Sequence, residues 1–187
     1  MGSVAGVDEA GRGALFGPVV AAAVVLNKGA DSSPYRDSKT LSESRRESLF
    51  ERLQEEGHRW AVGAVSAQEI DETDILKASL KAMALAVSSL ADPPDWVLVD
   101  GPHRPLLPCA CEAVVGGDAR SASIACASIV AKVTRDRLMR AYEEEFPGYG
   151  LSQHKGYGTS QHLLALRNLG PTPLHRRTFN GVLTESA

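Results

Sequence analysis

The chain has 187 residues, 43% hydrophobic and 23% charged, which fits one soluble globular domain and excludes a disordered or fibrous chain. Its formal net charge of -3 offers no overall field for nucleic acid and weighs against a simple DNA-binding module, while leaving room for a local basic groove. The longest apolar runs, such as Val19 to Leu26, fall far short of the ~20 residues that cross a bilayer, and no leader-like start precedes them, so a cytoplasmic location without membrane contact is expected. Cys109, Cys111 and Cys126 are too few for a disulfide framework, and no second Cys or His pair completes a zinc site, so free thiols are expected.

In chain order, Val4 to Asp8 reads as a strand returning as Val19 to Leu26, with the corner Gly11-Arg12-Gly13 between them. Asp8 and Glu9 are out of place in a strand interior, and neighbours in a strand face opposite ways. They can share a site only if the strand bends or ends at Glu9. A loop over Asp31 to Thr40 leads to a helix from about Ser42 to Glu56, which stops at Gly57. Trp60 to Val65 is the third strand, and Asp71 to Asp74 supplies capping residues for a helix over Ile75 to Leu90. Trp96 to Val99 is a short buried strand running onto Asp100, and Glu112 to Val115 is the last strand. A long helix over Ser121 to Glu145 follows Asp118, and a short one spans Ser160 to Asn168. Strands alternating with helices after an opening hairpin predict an α/β chain with a mixed sheet.

Each acid has a plain structural explanation: Asp8 and Glu9 as a solvated strand end, Asp100 as a turn former, Asp118 as a helix cap. If the sheet brings these ends together, however, four carboxylates converge, and like charges so placed require cations. An all-oxygen set points to Mg²⁺ or Mn²⁺, and two such ions in one site would make the chain a phosphodiesterase.

The same residues carry a resemblance. GVDEAGRG at Gly6 to Gly13, DSK at Asp37 to Lys39, LVDG at Leu98 to Gly101, GDARS at Gly117 to Ser121 running into SIVAKVTRDRLM, HKGYGT at His154 to Thr159 and HRRTF at His175 to Phe179 resemble, in order, the motif series of bacterial ribonuclease HII. The resemblance implies a ribonuclease H-like fold with a five-stranded mixed sheet flanked by helices. It also implies a metal-dependent endonuclease acting on RNA·DNA hybrids and on DNA duplexes with embedded ribonucleotides, nicking 5′ of the ribonucleotide to leave 3′-hydroxyl and 5′-phosphate ends. On this sequence Asp8, Glu9, Asp100 and Asp118 match the family's metal-binding acids, and Gly11, Arg12, Gly13 and Tyr157 its substrate-reading residues. A 2′-hydroxyl both donates and accepts a hydrogen bond, which close-approaching backbone can satisfy. Lys39, Arg120 and Lys155, with Arg12, are the candidate phosphate contacts, and Lys132 and Arg135 read as surface partners of Asp136.

The chain departs from the family pattern at Ala14, Phe16, Gly116 and Arg120, none of them a metal ligand. A single catalytic domain is expected, monomeric, with 148–187 as a C-terminal substrate-contacting segment; a sliding-clamp partner is not legible. A dinucleotide-binding reading of Gly11, Gly13 and Gly17 fails because VVAAAVVL after Pro18 is strand-like where a helix should open. A non-catalytic hybrid-binding module would need bases rather than acids at the groove. Ribonuclease HIII or a junction-resolving nuclease could share fold and acids.

Overall fold

The computed structural model describes residues 2–35 and 41–183. The expected phosphate contact at Lys39, with the rest of Asp37 to Lys39, lies outside the described residues. Val4–Ala10 (β1) and Val19–Val25 (β2) form an antiparallel hairpin, and Arg59–Val65 (β3) pairs antiparallel with β2. Trp96–Asp100 (β4) runs parallel to β1 on its other side, and Ala110–Val114 (β5) runs parallel to β4. The order β3-β2-β1-β4-β5 gives the expected five-stranded mixed sheet, with the acid-bearing strand in its middle.

Helices cover both faces. Glu43–Glu55 (α1) starts where the Ser42 hydroxyl accepts the Arg45 N–H at 3.2 Å, and it buries Leu49, Phe50 and Leu53. Ile75–Ser88 (α3) starts on Asp74, whose carboxylate accepts the Lys77 N–H at 2.8 Å. α3 packs on the face bearing Ala5, Val7, Val97 and Val99. α1 and the long helix Ala122–Glu145 (α5) cover the face bearing Ala22 and Val24. Gly6 permits the closest of these contacts: a Cβ there would lie 2.1 Å from the Ser123 carbonyl carbon, so α5 can rest directly on β1. No helix among the described residues is long and apolar enough to cross a membrane.

Three local expectations change. Ala67–Glu72 forms a further helix (α2), so Asp71 lies inside a helix rather than before one. Its carboxylate accepts the N–H groups of Arg177 and Thr178 at 2.8 and 3.0 Å and so ties the basic C-terminal segment to the body. Gly117–Arg120 is a separate helix (α4), broken from α5 by the extended backbone of Ser121, so Asp118 does not cap α5. Leu151–His154 (α6) precedes the expected Ser160–Leu169 (α7). Helices of four to six residues are too short to show a periodic apolar face, which is why α2, α4 and α6 left no signal. Phe16, Met139, Leu151, Leu166 and Val182 form a third core cluster that seats the C-terminal segment on the far end of α5.

Candidate active site at the end of the central strands

The parallel register sets Val7 beside Val99, so one residue further, where the ladder between β1 and β4 stops, Asp8 and Asp100 lie side by side. Val7, Val97 and Val99 face α3, and Asp8 and Asp100 therefore share the face toward α5. β1 does not end or bend at Glu9 as expected, because β2 continues to pair with it as far as Ala10 beside Val20. Asp8 and Glu9 consequently leave opposite faces of the sheet. They belong to one site because β4 stops at Asp100 and leaves Glu9 at an open rim. There the Glu9 carboxylate lies 3.4 Å from the Arg12 guanidinium and borders a small cavity with Asp100 and the start of α3.

Asp100 also accepts the Gly117 N–H at 2.6 Å, which brings the next residue, Asp118, to the same corner. A Cβ at Gly117 would fall 2.5 Å from the tip of the Ile124 side chain on α5 and 3.3 Å from the Asp100 carboxylate, so glycine lets α4 pack closely in this corner. Asp118 is buried there, 6% exposed, and Arg120 is exposed two residues on.

Asp8 is also only 6% exposed, and it accepts the Glu9 N–H at 2.7 Å. Its pKa is pushed up from 3.8 to about 8, first by burial, then by the charges of Glu9 and Asp100, against a hydrogen bond from Ser128 on α5. Glu9 is likewise raised by burial, with the Arg12 guanidinium opposing and Asp100 adding to the rise. The donor set is all oxygen, and its charges are mutually unfavourable without a counter-ion, which is the chemistry that suits a hard divalent cation. Among the described residues, however, no three Asp, Glu, His or Cys side chains stand together closely enough to hold a metal ion. The structure thus sets Asp8 beside Asp100, with Glu9 on the rim and Asp118 next to Gly117, and does not bring the four into a closed cage.

A cavity of about 380 Å³ opens beside Glu9. Its walls bring together the predicted Glu9, Gly11, Arg12, Gly13 and Tyr157. Tyr157 bridges to Ala14 and approaches from the turn after α6, held by the Leu15 N–H donating to the Gly156 carbonyl at 2.8 Å. Its own carbonyl is hydrogen-bonded by His162 at 3.0 Å. Gly11 has φ +91 and faces Arg135, whereas Gly13 has no positive φ and a Cβ there would meet nothing within 4 Å. The fold needs the first glycine; nothing among the described residues occupies the space kept by the second.

Lys155 is not brought to the cavity: its ammonium is held by the Ser152 carbonyl and lies 3.3 Å from Glu43. Arg135, expected on the surface, is 0% exposed. Lys132 does pair with Asp136 at 2.5 Å, yet it lines the cavity together with Arg46 and Ser128, none of which was singled out as a site residue. Lys132 had a legible signal as the lone charge in the apolar first half of α5; Arg46 had none on a helix rich in charge.

The family model described as Ribonuclease HII matches residues 5–182. A curated Ribonuclease HII from Geobacter sulfurreducens is 52% identical over 180 residues, spanning 96% of this chain and 83% of its own length. Among solved structures, the ribonuclease H2 from Pyrococcus horikoshii OT3 superposes with a TM-score of 0.80 at 29% identity, over 96% of this chain and 95% of that one. Bst-RNase HIII in complex with Mn²⁺ shares the fold, with a TM-score of 0.73 at 19% identity over 96% of this chain and 68% of that one.

Proposed function

The chain belongs to the ribonuclease HII family and is a type 2 ribonuclease H endonuclease that cleaves the RNA strand of RNA/DNA hybrids, and we propose that it also nicks duplex DNA at single embedded ribonucleotides with Mg²⁺ or Mn²⁺ as cofactor. The observation that carries this is a cavity walled by Glu9, Gly13 and Tyr157, whose wall residue Ser128 also hydrogen-bonds Asp8. Divalent ions, when bound, would activate a water and offset the charge on the departing oxygen. Asp8 and Asp100 would hold them, with Glu9 and Asp118 completing the ligand set from either side. The bond broken is that between phosphorus and the 3′ oxygen of the preceding deoxynucleotide, leaving a 3′-hydroxyl and a 5′-phosphate on the ribonucleotide.

The remaining residues bind and orient. Main-chain groups of Gly11 to Gly13 accept and donate at the 2′-hydroxyl, and the Tyr157 ring packs on the deoxyribose of the next nucleotide. Arg12 and Arg120 contact phosphates, which fix the duplex without reading its sequence. Gly13→Ala gives a sharp check on this arrangement. Since nothing lies within 4 Å of the added methyl, the variant should melt within about a degree of wild type while losing roughly tenfold or more in kcat/KM, because the methyl occupies space the ribose needs. A variant that keeps full activity would show that the ribose does not approach this backbone.

The direct experiment is cleavage of a DNA duplex carrying one ribonucleotide, run with Mg²⁺, with Mn²⁺ and with chelator. Product ends of the stated chemistry in either metal, and none in chelator, are expected. Equal cleavage in chelator removes the metal from the reaction; cleavage of the hybrid but not of the single-ribonucleotide duplex confines the enzyme to hybrids.

A further inference from the structure

Two arginines lie under the recognition cavity, both 0% exposed, and among the described residues neither forms an ion pair with a carboxylate. Their partners are main-chain carbonyls. Arg135 on α5 donates to Pro18, Phe16 and Lys155 at 3.2, 2.9 and 2.8 Å, and its guanidinium lies 5.5 Å from the centre of the Tyr157 ring. Arg176, in the C-terminal segment, donates to Gly17 and Arg12 at 3.0 and 2.8 Å, and its own N–H donates to the Leu15 carbonyl at 2.8 Å. One nitrogen of Arg176 is buried without a partner among the described residues.

This is an expensive construction. Two unpaired cations are kept out of water, and one donor goes unsatisfied, each a cost that an apolar filling of the same space would avoid. The planar fork does something an apolar residue cannot: it joins carbonyls from chain segments that have no regular ladder between them. Arg135 spans from the exit of the glycine corner (Phe16, Pro18) to the residue two before Tyr157; Arg176 spans from the corner itself (Arg12) to Gly17. The sequence makes room for this, since a Cβ on Gly11 would lie 1.9 Å from the Arg135 Nε.

We propose that Arg135 and Arg176 are positioning residues, Arg176 bracing the Gly11 to Gly13 corner against its exit and Arg135 fixing that exit at a set distance from the Tyr157 turn, and that together they set the preference for a ribose followed by a deoxyribose over an uninterrupted ribonucleotide strand. The proposal rests on the reading above, in which the corner contacts one sugar and Tyr157 the next. Two contacts on successive sugars reinforce each other only when their spacing is preorganised. If the spacing loosens, a long ribonucleotide strand still offers the corner a 2′-hydroxyl at every register, but the single step offers one register only.

The test uses Arg135→Lys, Arg176→Lys, Tyr157→Ala and the Arg176→Lys/Tyr157→Ala double variant. Each is assayed on the single-ribonucleotide duplex and on a full RNA·DNA hybrid, well below a melting temperature measured first. Lysine keeps the charge and loses the fork. Each lysine variant should lose about 10- to 100-fold in kcat/KM on the single-ribonucleotide duplex and under about threefold on the hybrid, and Arg176→Lys should cost nothing further once Tyr157 is alanine. Equal losses on both substrates, or losses that multiply in the double variant, make the arginines structural supports and overturn the proposal. Should one lysine variant fail to fold, the other decides by the same ratio. If Tyr157→Ala itself falls equally on both substrates, the reading of Tyr157 is what fails, an outcome distinct from a failure of the arginines alone.

Discussion

Asp8→Asn should reduce cleavage by at least about a thousandfold in saturating Mg²⁺ and, in chelator at pH 8 to 9, should melt higher than the wild-type protein. The two effects have one cause. Asp8 is buried beside Glu9 and Asp100, and its pKa is raised from 3.8 to about 8. A carboxyl whose folded pKa exceeds its unfolded one contributes stability that is complete below the unfolded value and is lost as pH rises through the folded value. In the metal-free protein that window runs from 3.8 to about 8, so at pH 8 to 9 the native state carries a buried charge it would shed if it could. Asparagine removes the charge and keeps an oxygen for the Glu9 N–H. The stabilisation should be on the order of 1–3 kcal/mol, or roughly 3–10 °C for a chain of this size, and it should shrink toward pH 4, where wild-type Asp8 is protonated. A divalent cation replaces the proton in the active enzyme, so wild type should regain stability on adding Mg²⁺ while Asp8→Asn should not. Near-normal turnover, or a variant that melts lower than wild type in chelator at pH 9, would contradict this account of the site.

Tyr157→Ala should lower kcat/KM about 10- to 100-fold at a single embedded ribonucleotide, the loss expected for one aromatic sugar or base contact, and far less on an uninterrupted hybrid. The main chain argues that this is a loss of the ring alone. The bridge to Ala14, the Leu15 to Gly156 hydrogen bond and the His162 contact to the Tyr157 carbonyl all survive truncation of the side chain. His162 and His175 are buried and pair through their Nε2 atoms at 3.1 Å, and burial lowers both pKa values, His175 to about 4. Both rings therefore stay neutral at assay pH, and the turn does not shift with it. Tyr157→Phe keeps the ring and should stay within about threefold of wild type; a loss as large as that of the alanine variant would assign the work to the hydroxyl instead.

The amino-acid sequence by itself determined the local pieces and where their chemistry sits: β-branched runs ending on acids, capped helices at Ser42 and Asp74, and a glycine corner ahead of an apolar return strand. Those signals are carried within a few residues by alternation, capping and the freedom of glycine. Only the tertiary structure decided that β4 pairs beside β1 in the register that sets Asp8 next to Asp100, since that pairing joins segments far apart in the chain. It also decided that β1 runs on to Ala10 and sends Asp8 and Glu9 to opposite faces, because the partner strand β2, not the acids, determines where a ladder ends. Burial was the other hidden quantity. Arg135 sits on a helix beside Lys132 and Asp136 with nothing local to set it apart, yet it is sealed under the glycine corner, while Lys155, within a motif that carried the resemblance, turns its charge to Glu43. Which side of a helix or turn faces inward depends on what is packed against it, and a chain read one residue at a time does not contain that surface.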